Sequence, residues 1–214
     1  QMCIRDRMQV EHLAVGPVQT NCYLAINKET KEAIIIDPGD DADRIGMRLM
    51  QLEAKPVAIL LTHGHFDHAG AAKALAAQYD IVVYAHEKEA ETLADSRMNL
   101  SGPLAGGATT YHADVFLKDE QELTLAGLHM RVLFTPGHTP GGCCYYFPRE
   151  DVLFSGDSLF CGSVGRTDFP GGSMRTLVDS VRNKLMSLPE NTIVYPGHDI
   201  ETTIEQERMY NPFL

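Results

Sequence analysis

Three of the nine histidines in this 214-residue chain fall within six positions, in Thr62-His63-Gly64-His65-Phe66-Asp67-His68. Imidazoles and a carboxylate so spaced are the donor types that divalent metals take. The preceding run Val57 to Leu61 reads as a strand. Residues two apart on extended backbone point the same way, so His63 and His65 can grip one ion from one side. Asp67 and His68 fall where the chain should turn into a helix, facing a neighbouring point, and the spacing suits two metals rather than one. Three further segments carry the same residue types: Thr135-Pro136-Gly137-His138-Thr139-Pro140-Gly141, Ser155-Gly156-Asp157-Ser158 and Tyr195-Pro196-Gly197-His198-Asp199. Each places a His or Asp after an apolar run, in backbone that can turn tightly, and open α/β sheets gather ligands at such strand ends. Asp37, before Pro38-Gly39, reads either as a hydrogen-bond partner for the far nitrogen of a ligand His or as a turn former.

The elements that must position these residues are short apolar runs separated by Gly, Pro, Asn and Asp. The pattern predicts strands at Val10 to Val15, Cys22 to Ile26, Ala33 to Ile36, Val57 to Leu61, Ile81 to Tyr84, Leu123 to Leu125, Met130 to Phe134, Cys143 to Phe147, Val152 to Ser155 and Ile193 to Tyr195. Helices are predicted over Asp41 to Leu52, Asp67 to Gln78, Glu87 to Leu93, Met174 to Ser187 and Thr202 to Met209. In the fourth, Met174, Leu177, Val178, Val181, Leu185 and Leu188 form one apolar face, and Pro189 stops the helix. Fully apolar runs such as AIII and VAILL indicate strands covered on both faces, so the expected fold is α/β, two sheets sandwiched by helices. Residues 102–114, with two consecutive glycines, read as a mobile loop over a site.

A formal charge of -11 and a pI near 5.2 repel phosphate backbones, and the basic residues do not cluster. No nucleic-acid partner is expected. No apolar run approaches the roughly 18 residues of a membrane span, so no membrane partner is expected either. The five cysteines, at 3, 22, 143, 144 and 161, are odd in number and include no CxxC; that suits a reducing compartment, small-residue packing and a cytoplasmic location without an export signal. Residues 1–7 match no later pattern and read as a non-native or disordered leader, with a single domain over 8–214. Outside the metal-type cluster, Arg166 is a candidate for binding a substrate carboxylate unless it pairs with Asp168. His112 in the loop and Tyr145 are further candidate substrate contacts. His12, His86 and His129 read as surface or structural groups.

HGHFDH, GHTPG, SGD and PGH, in that order, resemble the metallo-β-lactamase-fold hydrolases over Met8 to Leu214. Asn21-Cys22-Tyr23-Leu24, the run Gly165 to Gly172 (GRTDFPGG) and Asn211-Pro212 are most similar to the short glyoxalase II-like enzymes, the hydroxyacylglutathione hydrolases. The resemblance implies an αββα sandwich of two mixed sheets. It implies that His63, His65 and His138 hold one metal, that Asp67, His68 and His198 hold the second, and that Asp157 bridges them, with Asp67 and Asp157 serving catalysis. Zinc is the expected pair of ions, with iron or manganese as alternatives.

The implied reaction is attack of a metal-bound hydroxide on a thioester carbonyl, the substrate class being an S-acylglutathione such as S-lactoylglutathione. The chain has no room for the helical domain with which longer glyoxalase II enzymes help hold glutathione. The alternatives on the same fold are a persulfide dioxygenase using one iron on His63, His138 and Asp157, and a lactonase. A true β-lactamase and a nuclease rank lower.

Overall fold

Every side chain of the run Ile34-Ile35-Ile36 is buried because alternate residues of a strand enter different layers. Ile34 and Ile36 pack toward a second sheet, and Ile35 packs toward helices. A computed structural model of the protein describes residues 7–214. Its first sheet begins with β1 (Met8–Val15), β2 (Thr20–Asn27) and β3 (Glu32–Ile36), paired antiparallel. It continues in parallel, through the helix α1 (Ala42–Gln51), to β4 (Lys55–Leu60). The short helix α2 (Phe66–Ala69) and α3 (Ala72–Tyr79) then lead to β5 (Val82–His86), and α4 (Ala90–Ala94) and α5 (Ser101–Leu104) to the edge strand β6 (Val115–Leu117). Parallel neighbours require such crossovers.

The second sheet takes β7 (Glu122–Leu125), β8 (Leu128–Phe134), β9 (Cys143–Phe147) and β10 (Val152–Gly156) in an antiparallel series. A small hairpin, β11 (Leu159–Phe160) and β12 (Ser163–Val164), and the helix α6 (Met174–Ser180) follow. They lead to β13 (Ile193–Pro196), parallel to β10, and to β14 (Thr202–Thr203), before α7 (Ile204–Tyr210) ends the fold. The spatial order is β14-β13-β10-β9-β8-β7.

Three hydrophobic layers hold the two mixed sheets and their helices together. Tyr23, Ile34, Ile36 and Leu60 of the first sheet meet Met130, Val132, Tyr145, Phe147 and Phe154 of the second. Outside the first sheet, Leu24, Ile35 and Ile59 pack with Ile45, Leu49, Leu75 and Leu93. Outside the second, Cys144, Tyr146 and Leu153 pack with Leu177, Val181, Leu185 and Ile204. The αββα sandwich is therefore the architecture of this chain.

Ten predicted strands are present, with ends that differ by at most two residues. The helix predicted over Asp67 to Gln78 is two helices, because the Ala71 N–H leaves the helical pattern to donate to the Pro38 carbonyl at 2.9 Å. The one predicted from Met174 widens to a π-turn over Val181–Leu185, and Met174 itself is exposed. Thr202 and Thr203 pair with β13 before Thr203 caps α7 through the Gln206 N–H. The loop expected over residues 102–114 begins inside α5. Beyond it, the chain is tied by Ser101 and Asn99 to the Thr109 carbonyl, at 2.8 and 2.9 Å. Residues 1–6 of the expected leader, Cys3 among them, lie outside the described residues. Arg7 joins the domain, its carbonyl accepting from the Lys28 N–H at 2.9 Å. No helix among the described residues is long and apolar enough to cross a membrane.

Candidate metal centre

The four polar segments converge where β4, β8, β10 and β13 end. His63 and His65 follow β4, and α2 carries Asp67 and His68 one turn later. His138, Asp157 and His198 each follow a strand of the second sheet. His63 Nε2 lies 3.1 Å from His65 Nδ1, which lies 3.0 Å from His138 Nε2. Three nitrogens on a tetrahedral zinc at 2.0–2.1 Å would stand about 3.3 Å apart, so this cluster has nearly the dimensions of one ion's coordination shell. Asp67, His68 and His198 form a second group, with His198 Nε2 3.3 Å and His68 Nε2 3.6 Å from Asp67 Oδ2. Asp157 lies between the groups, Oδ1 at 3.4 Å from His68 Nε2 and Oδ2 at 3.4 Å from His138 Nε2 and 3.7 Å from His198 Nε2. A Cβ on Gly197 would fall 2.2 Å from Asp157 Oδ1, so only glycine lets this backbone pass behind the carboxylate.

Hydrogen bonds on the far side of the rings fix which nitrogen is free. His68 Nδ1–H donates to Asp37 Oδ2 at 2.9 Å, so Nε2 is the nitrogen turned toward Asp67 and Asp157. Thr62 donates its hydroxyl to the same oxygen at 2.6 Å, so it can only accept from His63 Nδ1–H at 3.1 Å, which frees His63 Nε2. His138 Nδ1–H donates to the Arg166 carbonyl at 2.7 Å. Asp67 Oδ2 accepts from the Thr20 hydroxyl at 2.9 Å. Of the two readings of Asp37, the one that orients a His is the one seen.

The electrostatics set the two groups apart, because an ion binding at His68 must displace a proton that the surrounding carboxylates hold there. Burial, reinforced by the neighbouring imidazoles, pushes His63 and His65 well down, toward the neutral form that binds metal. Burial alone would depress His68 too, but the carboxylates of Asp67, Asp157 and Asp37 outweigh it and push His68 up to about 10. Burial works against Asp67 ionising, yet His68 and His198 hold it well below the usual carboxylate range. His68 Nε2 and Asp157 Oδ1 are buried without a hydrogen-bond partner, which is costly unless a further ligand satisfies them. The donors present fit two divalent cations, with no thiolate among them.

The profile of the metallo-beta-lactamase superfamily matches residues 15–198. The chain belongs to the metallo-β-lactamase superfamily. Over 208 residues it is 42% identical to "Probable metallo-hydrolase YqgX" of Bacillus subtilis (strain 168), covering 97% of this chain and 98% of that one. It is 39% identical over 217 residues to "Hydroxyacylglutathione hydrolase GloC" of Haemophilus influenzae, covering 97% and 98%. Among solved structures, BLEG-1 B3 metallo-beta-lactamase superposes with a TM-score of 0.92 at 46% identity, covering 96% of this chain and 99% of that one. TTHA1623 in a di-iron-bound form gives 0.82 at 38% identity, covering 95% and 100%. This superfamily of metallo-hydrolases binds divalent metals through His and Asp groups of the kind assembled here.

A cavity of about 440 Å³ opens onto the superfamily's metal site, walled by Val18, Leu100, Leu104, Phe160 and Phe169. Arg166 also lines it, but both arms of its guanidinium are held by Asp168 at 2.7 Å, and it stacks 4.0 Å over the Phe169 ring. Two of the three candidate substrate contacts lie elsewhere. His112 projects into solvent 3.8 Å from Asp114, on the rim of a separate cavity with Lys73 and Tyr111. Tyr145 is fully buried between the sheets, where strand alternation turns it inward, and its hydroxyl donates to the Leu61 carbonyl at 2.7 Å. Sequence reasoning missed the Arg166 carbonyl and Thr20, which bear no motif signal. It also missed Glu89, hidden in an ordinary charged run.

Proposed function

We propose that this enzyme is a dinuclear metal-dependent hydrolase of thioesters, with S-acylglutathiones such as S-lactoylglutathione as the substrate class. The observation that carries the reading is the pair of three-donor groups flanking Asp157 at the floor of an open cavity. The likeness to a hydroxyacylglutathione hydrolase supports the thioester, and the di-iron-bound neighbour supports two ions. Bound there, two divalent metals supply a Lewis acid for the carbonyl and an activated water at neutral pH.

The chain's own residues do the rest. Asp37, Thr62 and the Arg166 carbonyl hold three imidazoles in one tautomer. The apolar wall accepts the acyl chain and excludes bulk water from the carbonyl. A thiol with a pKa near 8.5 leaves as thiolate, so no general acid need stand over the leaving group. Arg166, neutralised by Asp168, offers little charge to glutathione carboxylates, and the thiol carrier should be gripped weakly.

A second reading, β-lactam hydrolysis, is favoured by the 46% identity to BLEG-1. Elemental analysis, a panel of thioesters with matched acyl groups and different thiols, a chromogenic β-lactam and an oxygen electrode with a persulfide separate the readings. Two metals with thioester turnover are expected. One iron with oxygen uptake, or β-lactam turnover exceeding thioester turnover, would overturn the proposal.

A further inference from the structure

Glu89 is fully buried, yet it is no part of the donor groups or of the cavity wall. It ends the 3-10 turn Glu87–Glu89 that follows β5. Its Oε1 accepts the Gly64 N–H at 2.9 Å, from the residue between His63 and His65. Its Oε2 accepts the Thr139 hydroxyl at 3.0 Å, from the residue after His138, and the carboxylate also takes the Gly141 N–H. The approach is close enough that a Cβ on Gly141 would stand 2.2 Å from the Glu89 nitrogen. Burial pushes this carboxyl up to about 7 against the pull of those donors. The fold therefore keeps an acid where burial opposes its charge, and three of its hydrogen bonds go to the two loops that carry His63, His65 and His138.

We infer that Glu89 is a positioning residue for one metal, a strut that sets the spacing of His63 and His65 on one loop against His138 on the other. The inference rests on the metal-centre reading and goes beyond it by giving the two ions different supports. Asp37 backs His68 and, through Thr62, His63, whereas the bonds of Glu89 to the site's loops go to those of the three-histidine group, its other partner being Thr92 in α4. Glu89→Gln keeps the shape of the side chain but turns one acceptor into a donor. Either Gly64 on one side or Thr139 and Gly141 on the other then lose their partner.

The test is a Co2+ titration of chelator-stripped wild type, E89Q and E207Q, followed by visible absorption and by competition with a chromophoric chelator that resolves two affinities. Glu207 is a comparably buried carboxylate that holds the Gly162 N–H and the Thr202 hydroxyl, away from the donor groups. E89Q should weaken one of the two ions by about 10–100-fold, the usual cost of losing a group that orients metal ligands, and alter that ion's spectrum. The other ion should move by less than about threefold, and E207Q should lower thermal stability with both affinities intact. E89Q with wild-type affinities and spectrum would overturn the inference, as would equal losses at both ions matched by E207Q. If E89Q does not fold, T139V removes a single donor to Oε2 and should weaken the same ion; an unchanged affinity there overturns the inference too. A wild type that takes up no Co2+ defeats the metal centre itself, an outcome distinct from two well-bound ions indifferent to Glu89.

Discussion

Replacing Asp37 by Asn tests the hydrogen-bond support of the second metal more directly than that of the first. Asp37 is 2% exposed and its φ is 50°, a left-handed conformation that Asn also tolerates, so neither size nor backbone changes. The carboxylate accepts three bonds: Thr62 N–H at 2.8 Å, Thr62 Oγ1–H at 2.6 Å and His68 Nδ1–H at 2.9 Å. An amide keeps the first through its oxygen but turns an NH2 toward the other two donors. His68 then loses its partner or moves its proton to Nε2, where no lone pair remains for an ion. Loss of such an orienting group costs about 10–100-fold in metal affinity, or about 1.4–2.7 kcal/mol. In a two-site competition titration, D37N should weaken the ion of the Asp67, His68 and His198 group by that factor. It should weaken the other less, because His63 feels Asp37 only through Thr62. Thr62→Val separates the branches, cutting the relay to His63 while leaving the bond between Asp37 and His68. Both affinities within about threefold of wild type in D37N would refute the reasoning.

Asp157→Ala removes the group that faces both donor sets, so turnover and most bound metal should vanish by assay and elemental analysis. Cys143→Ser and Cys161→Ser should retain most activity, and an equal loss in either would contradict a nucleophile other than sulfur. Asp168→Asn frees the Arg166 guanidinium beside the cavity and should lower KM for S-lactoylglutathione several-fold at unchanged kcat; an unchanged KM would show that Arg166 does not face the thiol carrier. Phe154 is 1% exposed between the sheets and packs on the rings of Tyr23, Phe147 and Tyr195. Phe154→Ala should cost about 3–5 kcal/mol in a denaturant melt, and a loss below about 1 kcal/mol would mean the layer is not tightly packed.

The strands that carry the site were legible because each is a largely apolar run followed within a few residues by Gly or Pro. The ones missed, Val115–Leu117, Leu159–Phe160, Ser163–Val164 and Thr202–Thr203, are too short to show a period. The break between α2 and α3 was not legible because its cause is remote: the Pro38 carbonyl, 33 residues away from Ala71, captures an N–H. The seven donors stood out because His and Asp recur after apolar runs, and the structure brings all seven together. The supports behind them did not, since a backbone carbonyl such as that of Arg166 has no residue signature. The ties of Glu89 to Gly64 and Thr139 span 25 and 50 residues. Tyr145 was misplaced because β9 is buried on both faces, so polarity could not show which way its ring turns.

Tyr145 has a different part in the design. Each donor group combines the two sheets: His63 and His65 from the first with His138 from the second, and Asp67 and His68 from the first with His198 from the second. The spacing within each group therefore depends on how the sheets sit on one another. Packed side chains alone would set that distance loosely at the ends of the strands. There the Tyr145 hydroxyl crosses from the second sheet to the Leu61 carbonyl, two residues before His63. In the opposite direction the Tyr23 hydroxyl crosses to the Pro196 carbonyl at 2.8 Å, two residues before His198. Cys143 N–H donates to the Thr62 carbonyl at 2.9 Å between them. The sheets are thus pinned to each other immediately beneath the ligands, by bonds that need no metal. An ion binding across them adds its own free energy to the same packing, because whatever binds the folded state alone stabilises it. Metal affinity and sheet packing in this fold are coupled, and Tyr145→Phe should weaken both ions together, unlike any variant that acts on one donor group.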